Sequence, residues 1–104
     1  MSALIRGTTP VIQFTYSDIT VSDIVTAYLT LAQKNTIVVE KDLSSATIGE
    51  SDLTWKLTQE ESLSLAPKVD VTILCDWLLV DGTRGRSKSL TIAVGNPGKN
   101  EVIT

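Results

Sequence analysis

The chain has no histidine, a single cysteine, three prolines and five aromatic residues among its 104 positions. Without histidine it lacks the commonest general base and the commonest nitrogen ligand for metals. With Cys75 alone, neither an intramolecular disulfide nor a zinc site of ordinary ligand spacing can be built. No stretch approaches the roughly 20 consecutive apolar residues that a membrane-crossing helix requires. Residues 1–7 carry one charge and no apolar run of signal-peptide length. Nine basic residues stand against twelve acidic ones, a formal net charge of -3, so no excess positive field draws in nucleic acid or anionic lipid. The expectation is a binding or structural protein with no cofactor and no metal, and not an enzyme.

What the chain does contain is alternation. Over residues 69–79, Val69, Val71, Ile73, Cys75, Trp77 and Leu79 fall on one face, and Asp70, Thr72 and Asp76 share the other with Leu74 and Leu78. Side chains on a strand alternate with a period of two, so this stretch reads as the central strand, with Cys75 and Trp77 as packing. Eleven residues would span about 36 Å, longer than a usual strand, which predicts a bend or bulge near Asp76. Burial of Cys75 on that face makes its thiol a small hydrophobe, not a nucleophile.

The remaining elements follow the same logic. Ile12, Phe14 and Tyr16 alternate with Gln13 and Thr15 after Pro10, a first strand over residues 9–16. Val25, Ala27, Leu29 and Leu31 form the apolar side of a second, with Tyr28 on its threonine-rich side. Lys34-Asn35 separates this from residues 36–41 with the spacing of a tight hairpin. A short strand is expected at Thr47-Ile48, and Leu53, Trp55 and Leu57 mark another. Thr58 followed by Glu61 is a capping box, predicting a short helix closed by Leu63 and Leu65 before Ala66-Pro67. Asp81-Gly82 opens a polar loop through Arg86, and Leu90, Ile92 and Val94 define a last strand over residues 87–94.

About seven short strands with turn signals between them and one short helix predict an all-β fold, an immunoglobulin-like antiparallel β-sandwich. A single domain spans residues 1–104, with 1–8 and 96–104 read as tails and Val102-Ile103 as a possible edge strand or docking arm within the second.

Candidate chemistry is sparse. Glu60 and Glu61 suit a helix N-terminus, and Glu50 and Asp52 suit a turn. Asp70 and Asp76 lie about 20 Å apart along a strand, beyond the roughly 5 to 9.5 Å of two-carboxylate hydrolysis. Arg84, Arg86 and Lys88 form a small basic patch of the kind that guards a sheet edge. No catalytic, cofactor or metal residue is assigned. Tyr28, with Leu74, Leu78 and Val80, instead forms an apolar patch on the outward side of the sheet, the candidate contact for a partner or a second copy.

Several short motifs recur in a familiar order: Arg6-Gly7-Thr8-Thr9-Pro10, then Ala27-Tyr28-Leu29-Thr30-Leu31-Ala32-Gln33, Leu57-Thr58-Gln59-Glu60-Glu61, Asp81-Gly82-Thr83 and Val94-Gly95. This layout resembles small tail-region proteins of prophages in Gram-positive bacteria, and is similar to the N-terminal immunoglobulin-like domain of phage baseplate upper proteins. The likeness covers nearly the whole chain and departs at Arg84, Arg86 and Lys88. It implies a virion structural component that binds other tail or baseplate proteins, made in the host cytoplasm and then carried in the tail, without enzymatic activity. The competing expectation is a sandwich module that binds a carbohydrate or another cell-surface ligand through Tyr28 and polar loop groups.

Overall fold

The computed structural model describes residues 4–87 and 89–95. Ten strands, one α-helix and two 3-10 turns follow in the order β1 (Leu4–Ile5), β2 (Val11–Thr15), a turn at Val21–Asp23, β3 (Ile24–Gln33), β4 (Thr36–Asp42), a turn at Leu43–Ser45, β5 (Thr47–Ile48), β6 (Asp52–Lys56), α1 (Gln59–Leu63), β7 (Val71–Leu79), β8 (Arg84–Arg86), β9 (Leu90–Ile92) and β10 (Val94–Gly95). They form two antiparallel sheets. The smaller runs β2-β6-β5, and the larger runs β4-β3-β7 with β8 and β9 end to end along the far edge of β7. A parallel pair, β1 with β10, joins the two ends of the described chain. This distribution of strands is that of an all-β sandwich of antiparallel sheets.

The alternating residues meet between the sheets. Ala27, Leu29 and Leu31 from β3, Val71, Ile73 and Cys75 from β7, and Leu53 and Trp55 from β6 are buried in one cluster with Tyr16, Leu57 and Leu65. Two polar contacts join the layers within this apolar filling. The Tyr16 hydroxyl donates to Cys75 Sγ at 3.3 Å, and Trp55 Nε1 donates to the Asp42 carbonyl at 2.9 Å. Burial pushes Tyr16 and Cys75 both upward, the tyrosine far above its ordinary pKa and the thiol above its own, so Cys75 is packing, as its position in the alternation predicts.

The hairpin falls at Lys34 and Asn35, both with positive φ (50° and 64°), as a two-residue turn requires. The capping box is also present: the Thr58 hydroxyl accepts from the Glu61 N–H at 3.1 Å, and Glu61 Oε1 accepts from the Thr58 N–H at 2.8 Å. Lys41 Nζ reaches the same Glu61 oxygen at 2.9 Å and ties α1 to β4. Burial pushes the Glu61 carboxyl up, but the Thr58 N–H and the Lys41 ammonium outweigh it and hold the carboxyl below its usual range.

Five expectations need correction. The first is the bulge, which lies on β3 and not on β7. Asp76 sits in regular register opposite Tyr28, whereas the β3–β7 pairing shifts between Ile24 and Thr26. The extra residue is Val25, which therefore leaves the core side and is 53% exposed. The second is the depth of Trp77, which packs against the core as expected but is only half-buried at its margin. Its ring packs edge-on against Tyr16 at 5.2 Å, and a Cβ at Gly85 would come within 2.4 Å of it.

The third is the loop through Arg86. Residues Arg84–Arg86 are strand β8, paired with Asp76–Leu78, because β7 offers a free ladder there and Gly85 leaves room for the Trp77 ring. The fourth is the last strand, which is interrupted. Ser87 donates its N–H to the Cys75 carbonyl and accepts the Cys75 N–H on its hydroxyl, so a side chain takes over the ladder between β8 and β9.

The fifth is the tail at residues 1–8. Within the described residues it is docked: Leu4 and Arg6 bond to Ala93 and Gly95, and Arg6 donates through Nε to the Leu65 carbonyl at 2.6 Å and through Nη2 to that of Leu63 at 3.0 Å. The Arg6 guanidinium thus answers carbonyls that the end of α1 leaves without helical partners. The tail at 96–104, with Val102 and Ile103, lies outside the described residues, as does Lys88.

Candidate functional site

The outward side of the large sheet is built by register. Along β3 the residues facing away from the core are Thr26, Tyr28 and Thr30. Tyr28 pairs with Asp42 of β4 on one side and with Asp76 of β7 on the other. Thr30 pairs with Glu40 and with Leu74; Thr26 pairs with Leu78, which in turn pairs with Arg84. Tyr28 therefore stands near the middle of a surface of threonine, carboxylate, leucine and arginine side chains, itself 45% exposed.

Two hollows flank it. One, of about 390 Å³, is lined by Thr26, Thr30, Glu40, Asp76, Leu78 and Arg84, with Tyr28 and Trp77 completing the wall. The other, of about 480 Å³, lies toward the chain between the sheets and is lined by Val25, Thr26, Asp42, Leu43 and Ile48, again with Tyr28. Tyr28 belongs to both. Val25 and Ile48, at 53% and 58% exposed, add apolar area beside it.

Of the four predicted contact residues, the structure brings Tyr28 and Leu78 together in one hollow. Leu74 lies on the same face, partly buried, one register step further along β7, and lines neither hollow. Val80 is 70% exposed but lies in the turn after β7, where its N–H donates to the Asp23 carbonyl. Val25 and Ile48 were not expected on this surface. Alternation assigns Val25 to the core, and only the bulge turns it outward. A two-residue strand such as β5 has too little pattern to tell which way Ile48 points.

Two carboxylates at the site, Asp76 and Asp42, are engaged within the fold. Asp76 receives Arg86 on both oxygens, Nε to Oδ1 at 2.7 Å and Nη2 to Oδ2 at 3.3 Å. Asp42 caps the turn at Leu43–Ser45 by accepting from the Ser44 hydroxyl and N–H, and the hydroxyl bond holds its carboxyl below the usual range. Of the carboxylates weighed for chemistry elsewhere, Asp52 takes the Gln13 amide at 3.0 Å, and Glu61 caps α1. Among the described residues no group of three or more acidic, cysteine or histidine side chains could hold a metal ion. No helix among them is long and apolar enough to cross a membrane. The surface can stack an apolar or planar group on Tyr28 and hydrogen-bond to it through Thr26, Thr30, Glu40 and Arg84.

No protein-family profile matches the chain in sequence, and no curated protein matches it either.

Proposed function

We propose that the chain is a structural component of a phage or prophage tail or baseplate, attaching to a neighbouring tail protein through the Tyr28 side of its large sheet. The observation that carries this reading is the exposed apolar group Val25, Tyr28 and Ile48, set beside two hollows that share Tyr28. Exposed aromatic and aliphatic residues around shallow hollows are the usual anchors of protein contacts. On this reading the protein is a binding module, not an enzyme, assembled in the host cytoplasm and then carried in the virion tail. The motif resemblance supplies the phage context and the surface supplies the contact.

A second reading has its own support. Tyr28 in the smaller hollow is surrounded by hydroxyl, carboxylate and guanidinium groups, a combination that suits a carbohydrate as well as a protein. Mass spectrometry of tail particles purified from an induced host tests the first reading, with the chain expected at constant stoichiometry to the other tail proteins. Its absence from the particles, together with glycan-array binding that Tyr28→Ala abolishes, would replace the first reading with the second.

A further inference from the structure

The sheet edges differ in a way that the Tyr28 surface does not explain. The outer edge of β4 carries Glu40, Lys41 and Asp42 and is bulged at Val38, where its register with β3 shifts between Leu31 and Ala32. Charge and a bulge are the usual defences of an edge against pairing. Strand β5 is only two residues long, and the far edge of β7 is already taken by β8 and β9. Strand β2 has no such defence. It reads Val11-Ile12-Gln13-Phe14-Thr15, without a charge, and keeps unbroken register with β6, its sole ladder partner among the described residues.

Hydrogen-bond parity shows what this edge presents. The Pro10 carbonyl accepts from Leu57 N–H, and Tyr16 N–H donates to the Ser51 carbonyl, so the even-numbered residues bond inward to β6. Val11, Gln13 and Thr15 therefore aim their N–H and C=O groups away from the sheet. Their side chains are exposed too, on the outer face, while Ile12 and Phe14 end the inner apolar row only partly buried.

We infer that β2 is a self-pairing edge: two copies of the chain join antiparallel through it, about a two-fold axis at Gln13, merging their small sheets into one. In that register Val11 faces Thr15 of the second copy and Gln13 faces its own copy, with no like charges opposed. Ile12 of one chain lies beside Phe14 of the other and extends the inner apolar row of both. The same patch meets itself, as a two-fold interface requires. This pairing is independent of the tail assignment and of the Tyr28 surface.

Sedimentation of the full chain from micromolar to millimolar concentration should show its mass rising toward that of a dimer, as a small interface predicts. The double variant Val11→Lys/Thr15→Lys opposes like charges at both outer pairs and should weaken the dimer by about tenfold, whereas Val11→Lys/Thr15→Glu restores it. Gln13→Cys should cross-link across the axis under mild oxidation, since bonded antiparallel pairs lie about 5.5 Å apart at Cα, within disulfide range. A wild-type chain that stays monomeric throughout overturns the inference. So does a dimer that both charge variants affect alike, or one in which Gln13→Cys fails to cross-link, since it would use another surface.

Discussion

The two ends of the large sheet's environment are built on opposite principles. Around α1, polar side chains are buried and have partners within the molecule. Gln33, almost fully buried, donates to the Ala66 and Val69 carbonyls and accepts the Ala66 N–H, pinning the segment between α1 and β7. Ser62, fully buried, donates to the Thr8 carbonyl and accepts the Gly7 N–H. Around Tyr28, by contrast, threonine hydroxyls, Glu40 and apolar side chains line open hollows. The first region closes the fold and the second presents a surface. Residues that look alike in sequence, a Gln and a Tyr on the same strand, thus answer to different demands.

That contrast predicts a graded series of effects. Gln33→Leu should cost most, about 3 kcal/mol by urea denaturation, because it removes three hydrogen bonds made by an almost fully buried side chain, to the Ala66 N–H and to the Ala66 and Val69 carbonyls. Ser62→Ala should cost about 2 kcal/mol for the two contacts to the Gly7-Thr8 segment. A loss below about 0.5 kcal/mol in either would mean that the α1 region is not the closure described. Thr58→Ala removes the helix cap and should cost about 1 kcal/mol.

Acid sharpens the same point. The Glu61 carboxyl titrates lower in the folded chain than its ordinary value of 4.5, so its contribution is present above that value and is lost as pH falls through the depressed one. Glu61→Gln should flatten this part of the stability profile, read as thermal midpoint against pH from neutrality downward. An unchanged acid slope would show that the Thr58 and Lys41 contacts do not set it. Smallest of all, Tyr28→Ala should change stability by less than about 0.5 kcal/mol while removing partner attachment.

The resemblance motifs fall mainly in the closed region. Arg6, Gly7 and Thr8 meet Ser62, Leu63 and Leu65, and the Leu57-to-Glu61 motif carries the helix cap. In the strand motif Ala27 is core, Gln33 is the latch, and Tyr28 and Thr30 reach the outer surface. Such motifs describe how the sandwich is closed more than what it binds.

Elements decided by local chemistry were legible from the chain alone: the Lys34-Asn35 turn, the capping box, and the buried rows of β3, β6 and β7. Features decided by distant partners were not. The outward turn of Val25 depends on pairing between β3 and β7, the strand at Arg84–Arg86 on a free ladder and the space above Gly85, and the docking of Arg6 on carbonyls 57 and 59 residues away. The contact surface was accordingly half visible. Tyr28 and Leu78 follow from alternation, while Val25 and Ile48 required the fold.

The attachment proposed for the Tyr28 surface is tested most directly by incorporation of Leu78→Glu into tail particles, scored beside its thermal midpoint. Leu78 sits in the hollow beside Tyr28 and outside the buried core. The expected result is a folded protein with a nearly unchanged midpoint that is lost from the particles. Wild-type incorporation of a folded Leu78→Glu would contradict it.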